Sequence, residues 1–228
     1  VRADLDALAA GEVGTLRVGV FQSASARILP QVMARFRAEL PAIDVQLTNE
    51  LDCRNLDEAV RAGRLDLAFT DAAWLAGPLD AAHLVREPYV VILPPDDPLA
   101  EKDALELGDL HGRDLIGQRA GDNCTVRIDA ALARARVVPR LVFRSDDNLT
   151  VQRLVSVGVG CAIVCLLAVE PDLPGTDVAI RPLVEEHAFD RDIALAWHRD
   201  RYRPRSSEAF VRIAQEVAAG LPAVALAP

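Results

Sequence analysis

Thr15-Leu16-Arg17-Val18-Gly19-Val20-Phe21 passes through Gln22-Ser23-Ala24-Ser25 into a helical pattern that runs to Pro41. Leu16, Val18 and Val20 alternate as a buried strand. Ile28, Leu29, Val32, Met33, Phe36 and Leu40 recur as one helix face. Pro41 ends the helix, because the residue before a proline avoids helical angles. Working outward, Val45 and Leu47 alternate as a second strand, and Asn55 and Glu58 have capping-box spacing ahead of Leu56, Ala59 and Val60. Gly63 stops that helix in the left-handed position. Leu65 to Phe69 then forms a third strand. A β-α-β-α-β order implies a parallel sheet with helices on both faces.

The same grammar returns later. Leu115-Ile116-Gly117 leads through Asp122-Asn123-Cys124-Thr125 to a helix marked by Ile128, Leu132 and Ala135, and then to a strand from Arg140 to Phe143. Val151, Leu154 and Val155 mark a further helix closed by Gly158 and Gly160, with Cys161 to Val164 as the next strand. Pro171, Pro174 and Gly175 form a loop. Tyr89 to Leu93 reads as a strand crossing from a first lobe to a second, and Ile193 to Trp197 as a strand crossing back. The last helix takes Ser206 as its cap and Phe210, Ile213, Ala214 and Val217 as its face, with Gly220 and Pro222 beyond its end. The expected fold is α/β: two Rossmann-like lobes joined by two crossover strands, with a cleft between them. A helix that starts at the carboxyl end of a buried strand directs free N–H groups outward, which suits anions and polar ligand groups.

Bulk properties narrow the function. A formal charge of -9 argues against nucleic-acid binding by this segment, which needs a basic face. No apolar run reaches the ~20 residues of a membrane span, and no secretory signal opens the chain. Four cysteines in 228 residues do not make a disulfide framework, so a reduced, cytoplasmic protein is expected. The chain opens without Met and is expected to be a fragment or processed product. Leu5 and Leu8 read as the tail of a helix belonging to something upstream. There is no nucleophile elbow, phosphate loop, dinucleotide fingerprint or zinc-type His pair, so no catalytic residue, cofactor or metal site is expected. His83, His111, His187 and His198 lack ligand spacing.

These segments together resemble the effector-binding domain of LysR-type transcriptional regulators. Gly14 to Gly19 is similar to the family's entry from linker helix to first strand, and Leu29-Pro30 through Phe36 and Pro41 to its first helix. Ala62 to Ala68 matches the second helix and third strand. Ser145-Asp146-Asp147, Thr150 and Leu154 to Gly160 match the second lobe. The resemblance implies a type 2 periplasmic-binding-protein-like fold, with residues 1–14 ending a linker helix, 15–87 and 190–228 as lobe I, and 88–189 as lobe II. It implies a small anionic metabolite as effector and a homodimer joining Ile28–Leu40 of one subunit to Val151–Val157 of the other. It also implies a tetramer at full length, and DNA contact only through a winged helix-turn-helix absent from this chain.

The expected effector-binding residues are Ser23, Ser25, Cys53, Arg54, Gln118, Asn123, Cys124, Thr125, Asn148 and Thr150. Ser23 and Cys53 stand where relatives place ligand-contacting residues, and Asp147, Asn148 and Thr150 face the cleft in relatives. The blander readings are helix capping for Ser23, Ser25, Asp147 and Asn148, simple packing for Cys53, and a solvated charge for Arg54. Gln118, Asn123, Cys124 and Thr125 read as a loop with Gly121 as its pivot. Cys165 stands where many relatives have proline, and Cys124 falls near the reactive cysteine of a peroxide-sensing branch whose resolving cysteine is missing here. If Cys53, Cys124 and Cys165 meet, thiol or soft-metal sensing competes with metabolite sensing. The same fold also serves a transporter's solute-binding protein and small-molecule enzymes such as a prephenate-type dehydratase or a deaminase, and these are its rival functions.

Overall fold

The computed structural model describes residues 13–170, 173–184, 186 and 188–221. The expected helix tail at Val1–Ala10 lies outside them, as do Pro171, His187 and Pro222. In chain order the strands and α-helices are β1 (Gly14–Val20), α1 (Gln22–Arg27), α2 (Leu29–Glu39), β2 (Ile43–Asn49), α3 (Cys53–Arg61), β3 (Leu67–Asp71), β4 (Leu79–Leu93), β5 (Asp114–Gly117), α4 (Asn123–Ala135), β6 (Arg140–Arg144), α5 (Asn148–Ser156), β7 (Ala162–Cys165), β8 (Ala179–Pro182), β9 (Asp190–His198) and α6 (Arg205–Ala219). They pack as two units. The first lies within Val1–Arg86 and Asp192–Pro222, the second within Glu87–Arg191. β4 and β9 each contribute to both units.

In the first unit β1 pairs in parallel with β2 along its whole length and with β3 at Val18 and Gly19. β3 pairs antiparallel with β9, giving the order β2-β1-β3-β9. Leu16, Val18 and Val20 are buried, as their alternation requires. β2 forms where expected, but Leu47 is 46% exposed because β2 is the outermost strand of this order. α2 presents Ile28, Leu29, Val32 and Phe36 to the core, and the Phe36 ring meets Phe210 of α6 edge-on at 5.3 Å.

Three helix starts differ from their sequence reading, two of them because an aspartate caps the first turn. α3 begins at Cys53 because the Asp52 carboxylate accepts the Arg54 N–H at 2.9 Å, so Asn55 lies inside the helix and caps nothing. α4 begins at Asn123 because Asp122 Oδ1 accepts the Thr125 N–H at 2.6 Å; Asn123, Cys124 and Thr125 form its first turn and not a loop. α6 begins at Arg205, with Pro204 at the N-cap position and no side-chain cap hydrogen bond, which places Ser206 inside the helix. At the other end of α3, Gly63 has φ +76, with Gly63 N–H donating to Val60 O and Arg64 N–H to Ala59 O. That double bond is the Schellman arrangement that glycine permits.

In the second unit β5 and β6 are parallel, and Leu115 bridges Cys161 in parallel just before β7. β7 and β8 both pair antiparallel with β4. The order β6-β5-β7-β4 therefore repeats the first unit's arrangement, in which the middle strand of three comes first in the chain. Tyr89, fully buried, stacks on Phe189 at 4.5 Å. Among the described residues no helix is long and apolar enough to cross a membrane.

Candidate functional site

In open α/β sheets a ligand crevice forms outside the carboxyl ends of the strands, where chain connections depart in opposite directions from two neighbouring strands. The first unit has that point between β1 and β3, and the second between β5 and β7.

In the first unit α1 starts directly after β1. Phe21 occupies its N-cap without a side-chain bond, so neither Ser23 nor Ser25 caps it. Ser23 is buried in the first turn, and the Ser25 hydroxyl donates to Gln22 O at 2.8 Å. Cys53 is buried as the first residue of α3. The Arg54 guanidinium lies on its capping neighbour, with Nε donating to Asp52 Oδ1 at 3.1 Å and Nη2 to Asp52 Oδ2 at 2.6 Å. Its charge is therefore already balanced by a carboxylate. Behind α3, Thr70 Oγ1 donates to Asp57 Oδ2 at 3.0 Å, and both residues are buried. Burial pushes the Asp57 carboxyl up to about 6, against the opposing pull of the Thr70 hydrogen bond. Asp57 escapes a reading of the sequence, because Asp-Glu within a short helix reads as a solvated face.

In the second unit the Gln118 side-chain amide donates to Asn148 Oδ1 at 3.2 Å, which joins two expected site residues across the ends of β5 and α5. Thr150 sends both its N–H and its hydroxyl to Asp147 Oδ2 at 2.7 Å, so Asp147 is the α5 cap. Asn123 and Thr125 are buried in the first turn of α4. The Thr125 hydroxyl has no hydrogen-bond partner among the described residues.

Cys124, half-buried, has its sulfur 3.6 Å from Cys165 Sγ and 3.6 Å from Arg191 Nη1. Arg191 is buried and ion-paired with Glu87, which is equally buried and accepts the Leu167 N–H at 2.9 Å. Hydrogen bonding from Cys165 lowers the Cys124 thiol to about 7, opposed by burial and assisted by the Arg191 charge and the Tyr89 hydroxyl. Burial and its hydrogen bond to Cys124 hold the Cys165 thiol well above its ordinary value. Cys165 keeps φ -69, an angle proline also adopts, so the turn survives the missing proline. Glu87 and Arg191 were missed by sequence reasoning. The available signal was a charge at each of two positions adjoining strongly apolar strands. Among the described residues no group of three or more His, Cys, Asp or Glu is placed to hold a metal ion.

Two α/β units, each setting a helix N-terminus at the carboxyl end of a parallel strand pair, define a ligand-binding domain of the periplasmic-binding-protein-like class. The chain belongs to the LysR substrate binding domain family, whose model matches residues 9–219. That family is a regulator domain and not an enzyme family. The chain is 25% identical over 209 residues to the uncharacterized HTH-type transcriptional regulator YybE of Bacillus subtilis, spanning 91% of this chain and 69% of the relative. It is 27% identical to a probable RuBisCO transcriptional regulator of Synechocystis, spanning 87% of this chain and 59% of that one. Among solved structures, the C-terminal domain of a probable LysR family regulator from Rhodococcus sp. RHA1 matches with TM-score 0.79 at 24% identity, covering 89% of this chain and 98% of that one. The regulatory domain of Synechocystis CcmR in complex with 2-PG matches with TM-score 0.82 at 19% identity, over 92% of this chain and all of that one. The QuiR effector-binding domain in complex with shikimate matches with TM-score 0.78 at 20% identity, over 91% and 98%.

Proposed function

We propose that this domain is the sensor of a transcriptional regulator and that its effector is a small anionic metabolite. The carrying observation is the first turn of α4. There a buried Thr125 hydroxyl, without a partner among the described residues, stands in the positive end of a 13-residue helix. A carboxylate or phosphate oxygen is the group such a turn accepts. Ser23, Ser25, Cys53 and Arg54 of the first unit and Gln118, Asn123, Cys124, Asn148 and Thr150 of the second are the further candidate contacts. The shikimate held by QuiR is a carboxylate, which supports the class without naming the compound.

The full-length protein would act in the cytoplasm as a homodimer or tetramer, reaching DNA through an N-terminal winged helix-turn-helix. The expected dimer contact between α2 and α5 remains part of this proposal. It would use the outer faces of both helices, since Val151 and Val155 already fill the second unit's core while Val157 is 74% exposed. The relatives are named as transcriptional regulators, which does not favour a transporter's solute-binding protein.

Thermal unfolding against shikimate, other small carboxylates and phosphate esters, with neutral sugars as controls, tests the reading. A ligand present at a hundred times its dissociation constant adds about 2.7 kcal/mol, or roughly 5–10 °C for a chain of this size. The expected shift is confined to anions and shrinks in Thr125→Val. A shift produced by neutral sugars alone, or one indifferent to Thr125→Val and Ser23→Ala, overturns the anion reading.

A further inference from the structure

Effector binding, for which Cys124 is a candidate contact, leaves the pairing of Cys124 with Cys165 and Arg191 unexplained. Two thiols stand 3.6 Å apart, one half-buried and one buried, with the charged end of a buried arginine 3.6 Å from the first. A thiol pair that serves only for packing needs no cation beside it. Keeping a guanidinium inside a unit requires Glu87 as counter-charge, and the Glu87–Arg191 pair is built to hold that charge next to Cys124. The topology explains the meeting. Cys124 lies in the first turn of α4, after the carboxyl end of β5, and Cys165 closes the neighbouring strand β7.

We propose that Cys124 and Cys165 form an intramolecular oxidation site that takes a small hydroperoxide and closes to a disulfide. Cys124 is the attacking thiol. The Arg191 cation and the hydrogen bond from Cys165 favour its thiolate, and it sits at the more accessible end of the pair. Tyr89 and Asp122 are the other titratable groups facing it, the first favouring the thiolate and the second opposing it by charge. Cys165, 2% exposed, is the resolving thiol, and its burial excludes a bulky disulfide partner.

In the first step the Cys124 thiolate attacks one peroxide oxygen. The S–O bond forms, the O–O bond breaks, and the departing alkoxide or hydroxide takes a proton from solvent. In the second step Cys165 sulfur attacks the Cys124 sulfenic acid. The S–S bond forms, the S–O bond breaks, and the hydroxyl leaves as water with the Cys165 proton. Two thiols lose two electrons and two protons, and one organic hydroperoxide is reduced to an alcohol and water, or hydrogen peroxide to two waters. The sulfurs must approach to ~2.05 Å, which ties the start of α4 to the end of β7.

The test uses the unmodified chain. It is exposed to one equivalent of hydrogen peroxide or cumene hydroperoxide near neutral pH, then alkylated and mapped by mass spectrometry. The expected product has lost two hydrogens, links the Cys124 and Cys165 peptides, and leaves Cys53 and Cys161 alkylated. Oxidation of Cys124 should be at least ~100-fold faster than that of Cys161, whose burial pushes its thiol up to about 11. A folded Cys165→Ser variant should accumulate a Cys124 sulfenic acid that dimedone traps. A crosslink to Cys53 or Cys161, or oxidation of Cys124 no faster than that of Cys161, overturns the proposal. None of these readouts depends on effector binding, so the two readings stand or fall separately.

Discussion

Glu87→Gln and Arg191→Met, made singly and together, probe the buried charges of the second unit. The two side chains are 3% and 6% exposed, so water screens neither. Removing one member of such a pair leaves an uncompensated buried charge, which costs about 3–5 kcal/mol. Arg191→Met strands the Glu87 carboxylate. Glu87→Gln strands the Arg191 guanidinium but still accepts the Leu167 N–H now bonded at 2.9 Å. The double variant carries no charge at the site and keeps that acceptor, so it should be more stable than either single. The expected coupling is about 3 kcal/mol or more, read by urea unfolding with the slope checked for each variant. The exposed pair Arg212–Glu39, each side chain 48% exposed, is the control and should couple by no more than about 1 kcal/mol. If both Glu87 and Arg191 singles cost less than about 1 kcal/mol and the double equals their sum, the pair behaves as a solvated one and the argument for a built-in charge beside Cys124 fails.

Asp57→Asn should alter the pH dependence of stability. The folded carboxyl is raised from 3.8 to about 6, so the folded state binds the extra proton between those values and stability falls as pH rises through that window. The asparagine variant should gain on the order of 3 kcal/mol over the parent above pH ~6 and nothing below pH ~4, measured by urea unfolding across the range; a gain independent of pH would contradict the buried acid. Gly160→Ala should destabilise by about 1–3 kcal/mol, because its Cβ would stand 2.6 Å from the Asp114 backbone oxygen. Gly108→Ala, with nothing within 4 Å of the added carbon, should change the melting temperature little.

The candidate site was legible in part. The junctions that carry Ser23, Asn123 and Thr125 were readable because a strand-to-helix junction is a local feature, visible as the point where period-2 apolarity gives way to a helical face. Their roles were less legible. The capping carboxylates of Asp52 and Asp122 shift two helix starts by several residues, and an aspartate in a polar turn carries no mark of which N–H it will accept. Asp147 was readable as one of two candidate caps, with Asn148, because the helical face of Val151, Leu154 and Val155 begins within about one turn of it. The engagement of Arg54 by Asp52 was hidden for a similar reason: a carboxylate two residues away pairs with a guanidinium only when the turn between them folds it back.

Periodicity, breakers and order of elements sufficed to determine an α/β chain with a repeated β-α-β core, because alternation and helical faces are set by backbone geometry within a few residues. Which elements become neighbours was decided by tertiary structure alone. Arg191 meets Glu87 across 104 residues, and Cys124 meets Cys165 across 41, through a strand order in which β7 lies beside β5. Desolvation is equally non-local. Asp57 and Cys165 acquire shifted acidities from the packing of distant strands around them, and no window of sequence contains the atoms that exclude their water.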